Sequence, residues 1–123
     1  MREPHGALQR TVLVLVALEG ALAVVAMAAT AHAALANAVN VDLGSRFLLW
    51  HAIASLAAMY LPRPTLPIVL WQAGQLLFAL TLIANGAGLS AWPDVLAPFG
   101  GTAYILGWLS LMANLWPIKD SAA

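Results

Sequence analysis

The sequence predicts an all-α integral membrane protein with four transmembrane helices in an up-down bundle. Two observations support this prediction. First, 63% of its 123 residues are hydrophobic and only 8% are charged, with a mean hydropathy of +0.87, whereas soluble domains carry about a quarter charged residues. Second, four apolar stretches alternate with polar, proline- or glycine-containing segments, and each helical crossing of a bilayer needs ~20 apolar residues. We therefore expect a single domain over residues 1–123.

The first helix is predicted at residues 10–34, where the chain reads "LVALEGALAVVAMAATAHA" from position 15. A removable signal peptide is the alternative, because Arg2 and Arg10 precede the apolar run and its closing Ala-His-Ala resembles a cleavage site. Signal-peptide cores, however, span only ~7 to 15 residues. The run here is longer and contains Glu19, so its length favours a retained membrane helix.

The other three helices are predicted from the remaining apolar stretches, at residues 45–62, 66–86 and 95–117. Serine is a preferred N-cap residue, and we expect Ser45 to begin the second helix. Pro67 and Pro98 fit the first turns of the third and fourth helices, where proline is tolerated. The third helix follows a turn that contains Pro62 and Pro64.

The distribution of basic residues predicts the orientation of these four helices. One side of the membrane would carry Arg2, Arg10, Arg63 and Lys119. Only Arg46 would lie on the opposite side. Cytoplasmic loops carry the excess of Lys and Arg, so both termini are expected in the cytoplasm of a bacterial cell, with the chain in the inner membrane. Trp71 is expected among the aromatic residues of the cytoplasmic interface.

Three segments resemble one family of small membrane proteins: "EGALAVVAMAATAH", "FLLWHA" and "APFGGTAYILGW". They are similar to segments of domain-of-unknown-function family 423, whose eukaryotic relatives are called the transmembrane protein 256 family. The matching positions are Gly20, His32, His51, Pro98, Gly100, Gly101, Gly107 and Trp108. The chain departs from the family at Glu19 and at "LFALTLI", where the family has a Ser-Gly-Ser segment. The resemblance implies a four-helix membrane protein and no particular chemistry.

Glu19 is the first candidate functional residue, because an ionisable side chain within a membrane span is costly and commonly functional. It should lie about 13 Å from the cytoplasmic end of the first helix, and Arg10 is nine residues away. Protonation, a neutral hydrogen-bonding partner, a watery cavity or a cation from another protein could each accommodate it. Gln72 and Gln75 share one helical stripe, and Gln75 and Trp108 should lie near the depth of Glu19.

His32 and His51 form the second candidate pair, since both are expected near the non-cytoplasmic face. Imidazole can bind metal or haem iron. Two histidines without cysteine or a carboxylate cluster make a weak metal site, so hydrogen bonding between helices is the favoured interpretation. We accordingly expect no cofactor and no metal.

Small residues recur along the predicted fourth helix and indicate close helix packing. The positions are Gly100, Gly101, Ala103, Gly107 and Ser110. Packing within the chain is the favoured interpretation, and a docking face for another membrane protein is the alternative. The Gly100-Gly101 pair lacks the spacing and the lysine of a phosphate-binding loop.

The sequence carries no recognisable catalytic motif and no basic run typical of nucleic-acid binding. It therefore predicts a non-catalytic accessory or stabilising subunit of a larger membrane complex, for which a respiratory or other energy-transducing complex is a candidate. The expected partners are membrane lipids and other integral membrane subunits, with a homo-oligomer also open. The alternative is a small transporter or a proton or ion conduit that uses Glu19, Gln75 and His51.

Overall fold

The computed structural model describes residues 6–89 and 92–116. Four helices occupy this part of the chain: α1 at Ala7–His32, α2 at Ala38–Ala58, α3 at Thr65–Gly86 and α4 at Leu96–Leu115. The predicted all-α class is confirmed. By length and composition, α1, α3 and α4 are apolar enough to cross a membrane. Three of the four predicted crossings are therefore supported, and the crossing predicted for α2 is not confirmed.

The start of α2 differs from its prediction by two helical turns. Asn37 is the N-cap, and its Oδ1 accepts a hydrogen bond of 3.1 Å from the backbone N–H of Asn40. The prediction that Ser45 begins this helix is wrong, because Ser45 lies inside it and donates its hydroxyl to the Asp42 carbonyl. The first turns of α2 carry polar residues, including an Arg46–Asp42 ion pair of 2.9 Å, and an apolar pattern cannot reveal such turns.

The polar composition of α2 is explained by its position in the fold. It packs against α1 on one side and α3 on the other. Ser45, His51 and Ser55 on this helix are all buried. Polar side chains inside a helix bundle avoid contact with lipid, so a central helix can be less apolar than an outer one. These buried polar residues and the exposed Arg46–Asp42 pair together lower the hydropathy of α2, although the helix is long enough to cross a bilayer.

The four helices form an open row. Helix α1 packs on α2, α2 on α3, and α3 on α4, and within the described residues α1 has no comparable packing contact with α4. The predicted up-down order is seen in these consecutive antiparallel neighbours. The closed bundle that four such helices commonly form is not seen, and α1 and α4 leave most of their surfaces exposed.

Two glycines of the predicted small-residue stripe allow α4 to approach α3 closely. A Cβ atom added to Gly100 would lie 2.3 Å from the backbone nitrogen of Phe78, and one added to Gly107 would lie 2.5 Å from the Trp71 indole. Gly101, in contrast, has ordinary space, since its Cβ would lie 3.7 Å from the nearest atom of Phe78. The other two stripe residues, Ala103 and Ser110, are half-buried.

Helix α3 contains a π-helical segment at Gln75–Ala79, between α-helical parts at Thr65–Gly74 and Leu80–Gly86. A π segment disturbs the regular hydrogen-bond ladder and is frequent at functional sites. Here the buried Thr81 donates its hydroxyl to the carbonyl of Leu77 at 2.7 Å. Gly100 faces the same segment from α4. The π segment is therefore bonded by the Thr81 hydroxyl, and the missing side chain of Gly100 leaves room for its backbone.

Candidate functional site

Two glutamines of α3 hold the carboxyl group of Glu19. Gln72 and Gln75 each donate a side-chain N–H to Oε2 of Glu19, at 3.2 Å. The residues are one helical turn apart, so both amides face α1. These bonds join α1 to α3, two helices that do not otherwise pack closely. Glu19 thus connects the outer helix to the centre of the fold.

Gln75 links this carboxyl to the rest of the buried centre. Its second side-chain N–H donates to the carbonyl of Leu48 in α2 at 2.8 Å, and its Oε1 accepts from the hydroxyl of Tyr104 in α4. Gln75 is 2% exposed, and it begins the π segment of α3. One side chain therefore forms hydrogen bonds to all three other helices.

The two oxygens of Glu19 have different surroundings. Oε2 accepts both glutamine bonds, whereas no described residue forms a hydrogen bond to Oε1. Glu19 is partly exposed, and Oε1 is not among the fully buried atoms that lack partners. Oε1 therefore keeps some exposure at the protein surface. One oxygen of the carboxyl group is bonded within the fold, and the other has no partner among the described residues.

His51 forms a second centre, bonded on both sides of its ring. Its Nε2 lies 3.1 Å from the indole nitrogen of Trp108, and its Nδ1 lies 2.8 Å from the carbonyl oxygen of Phe47. An indole N–H can only donate and a carbonyl can only accept, so Nε2 is the acceptor and Nδ1 carries the hydrogen. The bonds fix a neutral histidine in one tautomer.

Aromatic rings surround this histidine. The His51 ring stacks on Tyr104 with centroids 3.8 Å apart, and Trp71 packs against Trp108 with centroids 4.8 Å apart. Trp71 is 1% exposed. The ring packs inside the fold, where Gly107 provides room for the indole, and its depth in the membrane stays a prediction.

The structure separates the two histidines that the sequence analysis paired. His32 lies at the exposed end of α1, whereas His51 lies buried in the second half of α2. The expected position of His51 near the non-cytoplasmic end is wrong, because α2 begins seven residues before Ser45. Within the described residues, no three metal-binding side chains come together.

Trp108 and Tyr104 were not assigned correctly from the sequence. Trp108 was a candidate donor at nearly the depth of Glu19, and its N–H is donated to His51 instead. Tyr104 was not singled out, although it contacts both Gln75 and His51. A signal was present, since Gly100, Tyr104 and Gly107 share one face of α4 at helical spacing. A tyrosine between two glycines on a packing face indicates a large ring fitted against a neighbour.

An apolar groove of about 510 Å³ lies between the first half of α1 and the first half of α3. Along α1 it is lined by Leu8, Val12 and Leu15, which share a helical face with Glu19. On α3 the lining ends at Gln72, the residue that bonds Glu19. The groove therefore ends about one turn of α1 before Glu19, beside the glutamine that bonds its carboxyl group.

The described residues thus form an all-helical fold with three helices that are long and apolar enough to cross a membrane, and with a hydrogen-bonded polar centre between the helices. Comparison with models of protein families, with curated proteins and with solved structures gave no match in any of the three.

Proposed function

We propose that this chain is a non-catalytic, multi-pass membrane protein that serves as an accessory or stabilising subunit of a larger membrane complex, respiratory or otherwise energy-transducing. The main support for this proposal is that the outer surfaces are apolar whereas the interior contains polar side chains. The outer helices expose long apolar faces, while most polar side chains inside bond to one another. A partner helix packed on such a face would complete the open row.

The proposal includes four crossings, with both termini in the cytoplasm of a bacterial inner membrane. Two properties of α2 support its crossing: it has 21 residues, about 31 Å of helix, and it packs between α1 and α3. A bilayer core is about 30 Å thick. The excess of basic residues on one side supports the orientation.

The motif residues that resemble domain-of-unknown-function family 423 support distant membership. Two of the matching positions, His51 and Trp108, are 57 residues apart and hydrogen-bond to each other. Two others, Gly100 and Gly107, seat α4 against α3. Residues that resemble a family's motifs and also contact one another are consistent with an inherited core.

The conduit alternative has less support. Glu19, Gln75 and Tyr104 lie on three different helices and bond directly across the row, whereas a conduit needs polar steps along the helices. His51 has both ring nitrogens occupied by hydrogen bonds. It is therefore poorly suited to pass protons. The geometry favours a stabilising role for these groups.

Photo-crosslinking in native membranes tests the proposed function. A photoreactive residue at Val25 of α1 or at Met112 of α4 would point outward, since these side chains are 65% and 68% exposed. We expect a stoichiometric adduct with one distinct membrane protein from one of the two helices, and a weak signal from the other. Adducts with lipid alone, or with this chain alone, would exclude an accessory subunit.

A further inference from the structure

We propose that Glu19 and the groove between α1 and α3 form the docking site for a partner transmembrane helix that carries a basic side chain at the depth of Glu19. This inference rests on the proposed function, because it assigns the surface and the chemistry of the partner. The site consists of an apolar groove and, one turn of α1 beyond its lining residue Leu15, a carboxylate oxygen of Glu19 that has no partner among the described residues.

The hydrogen bonds of Glu19 indicate which group its partner must supply. A carboxylate is an acceptor on both oxygens. Two amide N–H groups already serve Oε2, so in the ionised form of Glu19 a donor is still required at Oε1. An ionised oxygen that faces hydrocarbon is strongly unfavourable unless it is paired. A lysine or arginine side chain supplies both the donor and the opposite charge.

That cation does not come from the described part of this chain. Arg10 is nine residues from Glu19, about 14 Å along α1. Arg46 is paired with Asp42, and Arg63 lies in the turn before α3, where it bonds the end of α4. A second copy would present the same helices and so would bring no basic side chain to this depth from its described residues. A different protein is therefore the occupant that charge complementarity selects.

The groove explains how the apolar part of the partner helix is seated. Helices α1 and α3 are joined by the glutamine bonds to Glu19, but their first halves do not pack closely against each other. The space is lined by apolar side chains of both helices, among them Val12, Ile68 and Val69. Association between helices in lipid depends on such packing together with polar contacts. The groove supplies the first, and Glu19 supplies the second.

A designed helix provides the test. Single-span leucine-alanine peptides with one central arginine, glutamine or leucine are reconstituted with the full chain in lipid vesicles. The chain has no natural cysteine, so a dye placed by Ala87→Cys reports binding by energy transfer. We expect the arginine peptide to bind about tenfold more tightly than the glutamine peptide. Equal binding of the arginine and leucine peptides would overturn the proposal.

Three variants separate a specific site from general attraction. Glu19→Gln should abolish the preference for arginine. The double variant Leu18→Glu with Glu19→Leu keeps one carboxyl group but moves it about 100° around α1, and it should not restore the preference. Val69→Trp should weaken binding by filling the groove. Leu76→Trp is its control, because this side chain is similarly exposed on α3 but lies outside the groove lining.

The same variants distinguish this inference from the function on which it rests. A photoreactive residue at Leu8 reports on the groove, because Leu8 lines it and is 66% exposed. If crosslinking from this position to a native partner disappears in Glu19→Gln while the chain stays folded, the docking site is supported. If crosslinking survives that variant, the site is overturned and the accessory function stands. Glu19-dependent pairing between copies of this chain, without any peptide, would overturn the site in favour of a homodimer. Absence of any native partner would overturn the proposed function.

Discussion

The centres around Glu19 and His51 are built from similar side chains and differ in how completely they are enclosed. His51 is 4% exposed, and each ring nitrogen has a fixed partner. Glu19 has two partners on its inner oxygen and, among the described residues, none on the outer one. A buried histidine with both ring nitrogens bonded stabilises one arrangement of helices. A centre in which one carboxylate oxygen lacks a hydrogen-bond partner is suited to bind a donor group of another molecule.

The two centres meet at Tyr104, whose hydroxyl bonds Gln75 and whose ring stacks on His51. This shared residue makes the centres neighbours within one core. Their difference is therefore a matter of position in the row: Glu19 lies on an outer helix, whereas His51 lies on a central one. The following substitutions test that comparison, from the largest expected effect to the smallest.

Substitution of Gly100 by alanine should be the most damaging small change, because it disturbs the packing that supports both centres. The new methyl group would meet the Phe78 backbone, which cannot move without shifting the π segment. We expect a loss of about 3 kcal/mol, at the upper end of typical overpacking costs, measured by denaturant titration in mixed micelles. Gly101→Ala is the matched control, and its stability should change little or rise, because alanine favours helix.

Gln75→Leu should cost roughly 2 kcal/mol of folding free energy, because it leaves the Tyr104 hydroxyl without its acceptor in a buried site. The same titration measures the loss. Gln72→Leu should cost less, since Gln72 is only partly buried and makes one of the hydrogen bonds. Equal losses in the two variants would argue against Gln75 as the residue that links the helices.

Trp108→Phe should open the enclosed centre at a cost of about 1 kcal/mol, the typical value of one hydrogen bond. Loss of the indole donor frees Nε2 of His51. We expect His51 to react with diethyl pyrocarbonate in the variant and to resist it in the parent chain, as read by peptide mass. The exposed His32 should react in both and serves as an internal control. Protection of His51 in Trp108→Phe would contradict the role assigned to the indole.

Glu19→Gln should have the smallest effect on stability, below about 0.5 kcal/mol, because an amide oxygen can still accept from both glutamines. Its folded state should be unchanged by circular dichroism and denaturant titration. Glu19→Leu removes that acceptor and should be clearly less stable. A large loss in Glu19→Gln would mean that the charge itself stabilises the chain, and would weaken the case for a recognition role.

The sequence predicted the helices better than the centres. Composition and apolar run length identified α1, α3 and α4 to within three residues at either end. The start of α2 was missed because Asn40, Asp42 and Arg46 interrupt the apolar pattern of its first turns, so these turns read as a polar loop. The packing role of Gly107 could be read from its spacing, whereas the identity of its neighbour, Trp71, could not.

The sequence by itself determined that the chain is helical and apolar enough for a membrane, since these properties follow from composition and local periodicity. It also identified Glu19 and Gln75 as unusual polar residues at comparable depth. Only the tertiary structure decided that Trp108 bonds His51, that Tyr104 joins the two centres, and that the row stays open. These outcomes depend on how the helices rotate and where they begin, and a shift of two turns in α2 changes which side chains meet.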